Sequence, residues 1–153
     1  MRDRYRLNFI VDEAARLVII RPIGDMPAMA FVEQVFERYA TLSEPWTYRR
    51  VNDFRRFEGY LDQAALAEIA RRWGELTRGI TYRARVAVVT ADPLDHIRLP
   101  AVSPQFPSET ICVFADYHEA VGWLLSEAPD VYLAGLSETG HTSARNDCRI
   151  TIE

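Results

Sequence analysis

Val86-Ala87-Val88-Val89, four apolar residues in a row, leaves this chain few architectures. A strand with one face in water alternates apolar and polar residues, whereas an unbroken apolar run reads as a strand covered on both faces, as in the middle of a parallel sheet. Parallel neighbours need crossover connections, and those connections supply the covering helices. The remaining sequence is predicted to alternate in that way.

Tyr5, Leu7, Phe9 and Val11 alternate with polar residues, and after the short connection Asp12 to Arg16 the run Leu17-Val18-Ile19-Ile20 reads as a second strand, so the chain opens with a hairpin. Gly24-Asp25-Met26-Pro27 combines a turn residue, a capping residue and a proline suited to a first helical turn. Val32, Phe36, Tyr39 and Leu42 follow at helical spacing, which predicts a helix over Pro27 to Leu42. Tyr48 to Phe54 is the predicted third strand, and Asp62 caps a second helix whose Ala65, Leu66, Ile69, Trp73 and Leu76 share a face before Gly79. The fourth strand holds the apolar run. Asp92-Pro93 begins a short helix, Leu99 to Pro107 is expected to be largely irregular, and Ile111 to Phe114 is the fifth strand. Asp116 with Glu119 resembles a capping box ahead of Val121, Leu124 and Leu125. The expected fold is thus α/β, a mostly parallel or mixed five-stranded sheet with an N-terminal hairpin and helices packed on it. Residues 1–126 would form this domain. Residues 127–153 form a C-terminal extension containing Val131-Tyr132-Leu133 and Arg149-Ile150-Thr151-Ile152, for which an extra strand, a dimer arm and a frayed tail all stay open.

At 153 residues, nearly half of them apolar, the chain has enough material for one ordinary core without a metal or disulfide staple. No apolar run approaches the roughly 20 residues of a membrane-spanning helix, and the charged start Met1 to Arg6 lacks the pattern of a secretory leader. The expectation is a cytoplasmic protein with no membrane span. A net charge of -4 argues against nucleic acid as a partner, and the exclusive use of arginine among the 18 basic residues reads as composition rather than site chemistry. Cys112 and Cys148, like His96, His118 and His141, stand outside any metal-ligand spacing, so no metal and no cofactor is assigned. Ser103, Ser108, Ser126 and Ser137 have no nucleophile-elbow setting, and there is no glycine-rich phosphate loop. No catalytic residue is assigned.

The candidate binding residues are Asn52, Asp53, Arg55, Arg56 and Glu58, at the carboxyl end of a predicted central strand. Open α/β sheets place ligands at that edge. Such a group could take a small anion or a peptide, and the competing reading is a solvated loop of ion pairs. An enzyme using Asp53 as general acid or base would need a partner side chain that the sequence does not identify.

The order of elements, Asp53 closing the third strand, Val86-Ala87-Val88-Val89 in the fourth, and Val113-Phe114-Ala115-Asp116 leading to Ala120 and Trp123-Leu124 resemble the SpoIIAA-like branch of the STAS fold across Tyr5 to Leu125. The resemblance implies a non-enzymatic regulatory module that works through contact with a protein partner. Its regulatory members carry a phosphorylated serine directly after the strand-ending aspartate. Here Asp53 is followed by Phe54, and no Ser or Thr occurs between Thr47 and Thr77, so the switch has no hydroxyl. The alternative is a carrier of a small apolar ligand or lipid, resembling SEC14-like domains. A homodimer to which the C-terminal tail contributes, with the exposed edge of the opening hairpin as the pairing site, is a further expectation.

Overall fold

The computed structural model describes residues 4–126. Strands β1 (Tyr5–Asp12) and β2 (Leu17–Gly24) form the expected antiparallel hairpin, with Tyr5 opposite Gly24 and Asp12 opposite Leu17. The Asp12 carboxylate accepts the Ala15 backbone N–H at 3.1 Å, and Arg16 takes a φ of 50° to close the turn. Gly24 ends β2 at a φ of +86°, where a Cβ would lie 2.2 Å from the Arg4 carbonyl oxygen. Helix α1 (Ala28–Tyr39) starts after Pro27, and Asp25 does not cap it as the sequence suggested: Pro27 itself holds the N-cap position, with no side-chain bond.

A single turn of 3-10 helix at Pro45–Thr47 leads into β3 (Arg49–Asp53), followed by α2 (Gln63–Leu76), β4 (Ala84–Val89), a short α3 (Asp95–Arg98), β5 (Glu109–Phe114) and α4 (Tyr117–Leu125). Asp62 and Asp116 cap α2 and α4 as predicted, accepting the backbone N–H groups of Ala65 at 2.9 Å and Glu119 at 3.0 Å. The segment expected to be irregular carries 3-10 turns over Pro100–Gln105, because Pro100 falls in a first turn, where its missing N–H costs nothing.

The sheet runs β1-β2-β3-β4-β5, with every pair after the hairpin parallel. Strand β4 is buried along its whole length, as its apolar run requires. Its alternate residues feed two cores. Val88 joins Val18, Ile20, Val35, Tyr39, Leu66, Trp73 and Leu99 beneath α1, α2 and the turns after α3, whereas Ala87 and Val89 join Val51, Phe114, Ala120 and Leu124 beneath α4. Burying each large aliphatic side chain contributes about 1.5–3 kcal/mol, and both sheet faces gain it. No helix of the described residues is long and apolar enough to cross a membrane. The extension with its two strand-like pieces lies outside the described residues.

Candidate functional site

Successive residues of β3 point to opposite faces, so the cluster predicted from sequence is divided. Val51 and Asp53 belong to the α4 side, while Arg50 and Asn52 face the helices α1 and α2. The Asp53 side chain is almost wholly buried and both of its oxygens are occupied. It accepts Arg21 Nε at 2.8 Å, Arg55 Nε at 2.8 Å, Arg55 Nη2 at 2.7 Å and the Arg55 backbone N–H at 3.2 Å. Burial pushes the Asp53 carboxyl up, but the hydrogen bonds from Arg55 and Arg21 outweigh it and hold the group below the usual carboxylate range. The guanidinium carbons of Arg55 and Arg21 lie 4.8 and 5.4 Å from the centre of the Tyr117 ring. A proton-transfer role for Asp53 would have to break this set first.

Arg56 and Glu58 expose their side chains and act through their backbone. Gly24 N–H donates to the Arg56 carbonyl and Glu58 N–H to the Gly24 carbonyl, each at 2.9 Å, which straps the loop after β3 to the end of β2. Beside this loop a polar cavity of about 220 Å³ lies between Arg55, Gly59 and Tyr60 on one side and Thr90, Asp92, Asp95 and Arg98 on the other. Much of its polar lining is already paired. Thr90 donates to Asp95 at 2.8 Å, and Arg98 donates to Asp95 and to the Leu61 carbonyl, both at 2.8 Å. His96 sits on α3, with Nε2 3.1 Å from the Thr90 carbonyl oxygen, and His118 is exposed at the start of α4. His141 lies outside the described residues. Among the described residues no group of three or more His, Cys, Asp and Glu side chains could hold a metal ion.

Next to the polar cavity, beneath α1 and α2, is a second, apolar cavity of about 110 Å³ that shares Phe54 and Leu61 with the first. Its walls are Phe31, Val35, Phe36 and Tyr39 of α1, Leu66, Ile69 and Trp73 of α2, and Leu99, Val102 and Phe106 beyond α3, closed by Asn52, Val86, Val88 and Ile111 of the sheet. Arg50 and Glu109 are the charged side chains in its lining, and they form an ion pair across β4 in which both side chains are buried. Tyr82 OH donates to the same Glu109 oxygen at 2.9 Å and accepts from Trp73 Nε1 at 2.7 Å. Burial first, and the Glu109 charge second, push the Tyr82 hydroxyl up to about 12, so it stays a donor. The Arg50 guanidinium carbon stands 4.1 Å from the centre of the Trp73 ring.

Sequence reasoning passed over Arg21, Arg50, Glu109 and Tyr82. For Arg50 a signal existed: an arginine at an inward position of a strand has to be paired, and a partner can be sought among the acids that flank neighbouring strands.

In comparisons with known proteins, no protein-family model and no curated protein matches the chain. Among solved structures it is similar to an uncharacterised protein of the DUF3478 family with a SpoIIAA-like fold from Shewanella loihica PV-4, at 16% identity and a TM-score of 0.52, over 78% of this chain and 93% of that one. The antiparallel hairpin, the three parallel strands that follow and the helices on both faces are a SpoIIAA-like fold.

Proposed function

We propose that the domain is a non-enzymatic binding module that takes a small, largely apolar molecule between the sheet and helices α1 and α2. The observation that carries this reading is the cavity of about 110 Å³, walled by aromatic and aliphatic side chains and provided with a buried polar pair. Ligand sites in general are apolar concavities with a few placed polar groups. In size it approaches an engineered apolar cavity of about 150 Å³ that takes up benzene or xenon. The polar cavity beside Asp53 is roomier, but much of its polar lining is already paired.

Xenon under pressure, followed by methyl chemical shifts, tests the reading. Shifts should concentrate at Val35, Leu66, Val88 and Leu99, and Leu99→Phe, which fills the space, should suppress them. Methyl shifts spread evenly over the molecule, or none at all, would remove the cavity as a binding site.

A second reading, contact with a protein, is favoured by exposed apolar side chains on and beside α3. Leu94 and Ile97 are 66% and 73% exposed, and Tyr60 at 61% stands next to them with Arg98 4.5 Å over its ring. The partner to test first is a second copy of the chain, meeting it through this surface rather than through the hairpin edge expected from the sequence. Light scattering on the parent and on Ile97→Asp decides it, since an identical mass for both excludes this surface from a dimer.

A further inference from the structure

The polar wall of the apolar cavity is unevenly satisfied. Arg50 is 4% exposed, and its Nη2 is committed to the Glu109 carboxylate. Its Nε is buried and has no hydrogen-bond partner among the described residues, the Tyr39 hydroxyl being the other polar group of the cavity wall close to the guanidinium. Glu109, in contrast, is well supplied, accepting from Arg50 and from Tyr82, whose own oxygen is in turn filled by Trp73. What the wall offers is therefore a donor. A buried N–H of a charged group left unpaired is costly, and an acceptor placed against it removes that cost.

Charge then decides the class of acceptor. Arg50 and Glu109 neutralise each other, and the other residues of the lining are uncharged. An anion entering this space would be a second negative charge beside Glu109 with no second cation to meet it, and desolvating it would be prohibitive. A cation would face Arg50 under the same penalty. An uncharged oxygen brings neither. Size adds a limit, since a cavity of about 110 Å³ has room for a ring no larger than benzene. Resting on the binding role proposed above, we infer that the ligand is an uncharged molecule of about ring size that carries an acceptor oxygen, a ketone, ether or ester, and takes the free hydrogen bond of Arg50 Nε.

The test uses the full chain, labelled with ¹⁵N and with ¹³C methyl groups, at pH 7, and three probes of closely matched size: cyclopentanone, cyclopentane and the carboxylate isobutyrate. Both neutral rings should move the methyl signals of Val88 and Leu99, but only the ketone should move the Arg50 Nε–H signal downfield. The carboxylate should bind at least about tenfold more weakly than the ketone. In the double variant Arg50→Met/Glu109→Gln, the ketone should lose about tenfold in affinity while cyclopentane changes little, the loss of one hydrogen bond. An Nε–H signal unmoved by bound ketone, as when a water holds that position, overturns the inference, and so does equal loss for both rings or tighter binding of the carboxylate. The parent's Nε–H signal decides the matter even if the double variant does not fold. If neither neutral ring moves the cavity methyls, the binding role itself falls, an outcome distinct from failure of the acceptor.

Discussion

Replacing Arg50 with methionine removes one charge from a buried pair and leaves the other in place, and the geometry fixes how much that costs. The side chains of Arg50 and Glu109 are 5% and 2% exposed, so water cannot take over from the missing guanidinium. Stranding one member of a buried pair costs about 3–5 kcal/mol. Tyr82 OH still donates to Glu109 at 2.9 Å, which holds the figure toward the lower end. Loss of the arginine from the face of Trp73 then adds back about 1–2 kcal/mol. The expected loss is thus about 4 kcal/mol, a large part of the 5–15 kcal/mol that holds a typical domain together. Urea unfolding followed by tryptophan fluorescence measures it, with Trp73 reporting from the site. Glu109→Gln keeps an acceptor for Tyr82, and combining it with Arg50→Met removes the stranded charge, so the double variant should be more stable than Arg50→Met alone by about 2 kcal/mol. If Arg50→Met costs less than about 1 kcal/mol, or the two substitutions add without coupling, the pair is not buried as described and the reasoning fails.

Val88→Asp should place a carboxylate in the core beneath α1 and α2 at a cost of several kcal/mol, and a melt close to that of the parent would refute the central position of β4. Asp53→Asn should cost about 1–3 kcal/mol at pH 7, a figure held down because Arg21 and Arg55 keep 23% and 44% of their side chains in water. Because folding lowers the Asp53 pKa, its contribution is full above the unfolded value near 4 and fades as the pH falls through the folded value. Denaturant melts at pH 7 and pH 3 should therefore show the gap between parent and variant narrowing on acidification, and a gap that stays constant contradicts the assignment. A kinase of the kind that phosphorylates a serine after the strand-ending aspartate should leave the loop from Asp53 to Gly59 unmodified, which phosphopeptide mapping checks.

The architecture was legible because it rests on periodicity. Alternation in β1, the unbroken run in β4 and the aspartates at 62 and 116 each state a local requirement that nothing in the tertiary structure opposes. Asp25 misled because a capping side chain competes with whatever else sets the helix start, and here Gly24 at positive φ followed by Pro27 sets it. The site was less legible for a geometric reason. Neighbours in a strand are the residues least able to share a surface, so reading Asn52 and Asp53 as one cluster joined opposite faces of the sheet. The partners that matter come from distant segments. Asp53 meets Arg21 across 32 positions and Arg50 meets Glu109 across 59, and one sequence carries no sign of such pairings beyond the presence of charges where a strand should be apolar.

Those charges have a consequence for how β3 can pair. Its register sets Arg50 beside Val86 and Asp53 beside Val89. Shifting a strand by one residue turns every side chain to the other face. Arg50 would then enter the apolar layer beneath α4, away from Glu109, while Asp53 would lose Arg21 and keep only Arg55, which moves with it. The buried Arg50–Glu109 pair would be broken, at about 3–5 kcal/mol, and Asp53 would lose one of its two cations, on top of the misplaced burial of Val51. An apolar strand of the same length would penalise the slip far less, because valine fits either face. The ion pairs on opposite sides of β3 therefore help hold in register the strand that separates the cavity from the α4 core.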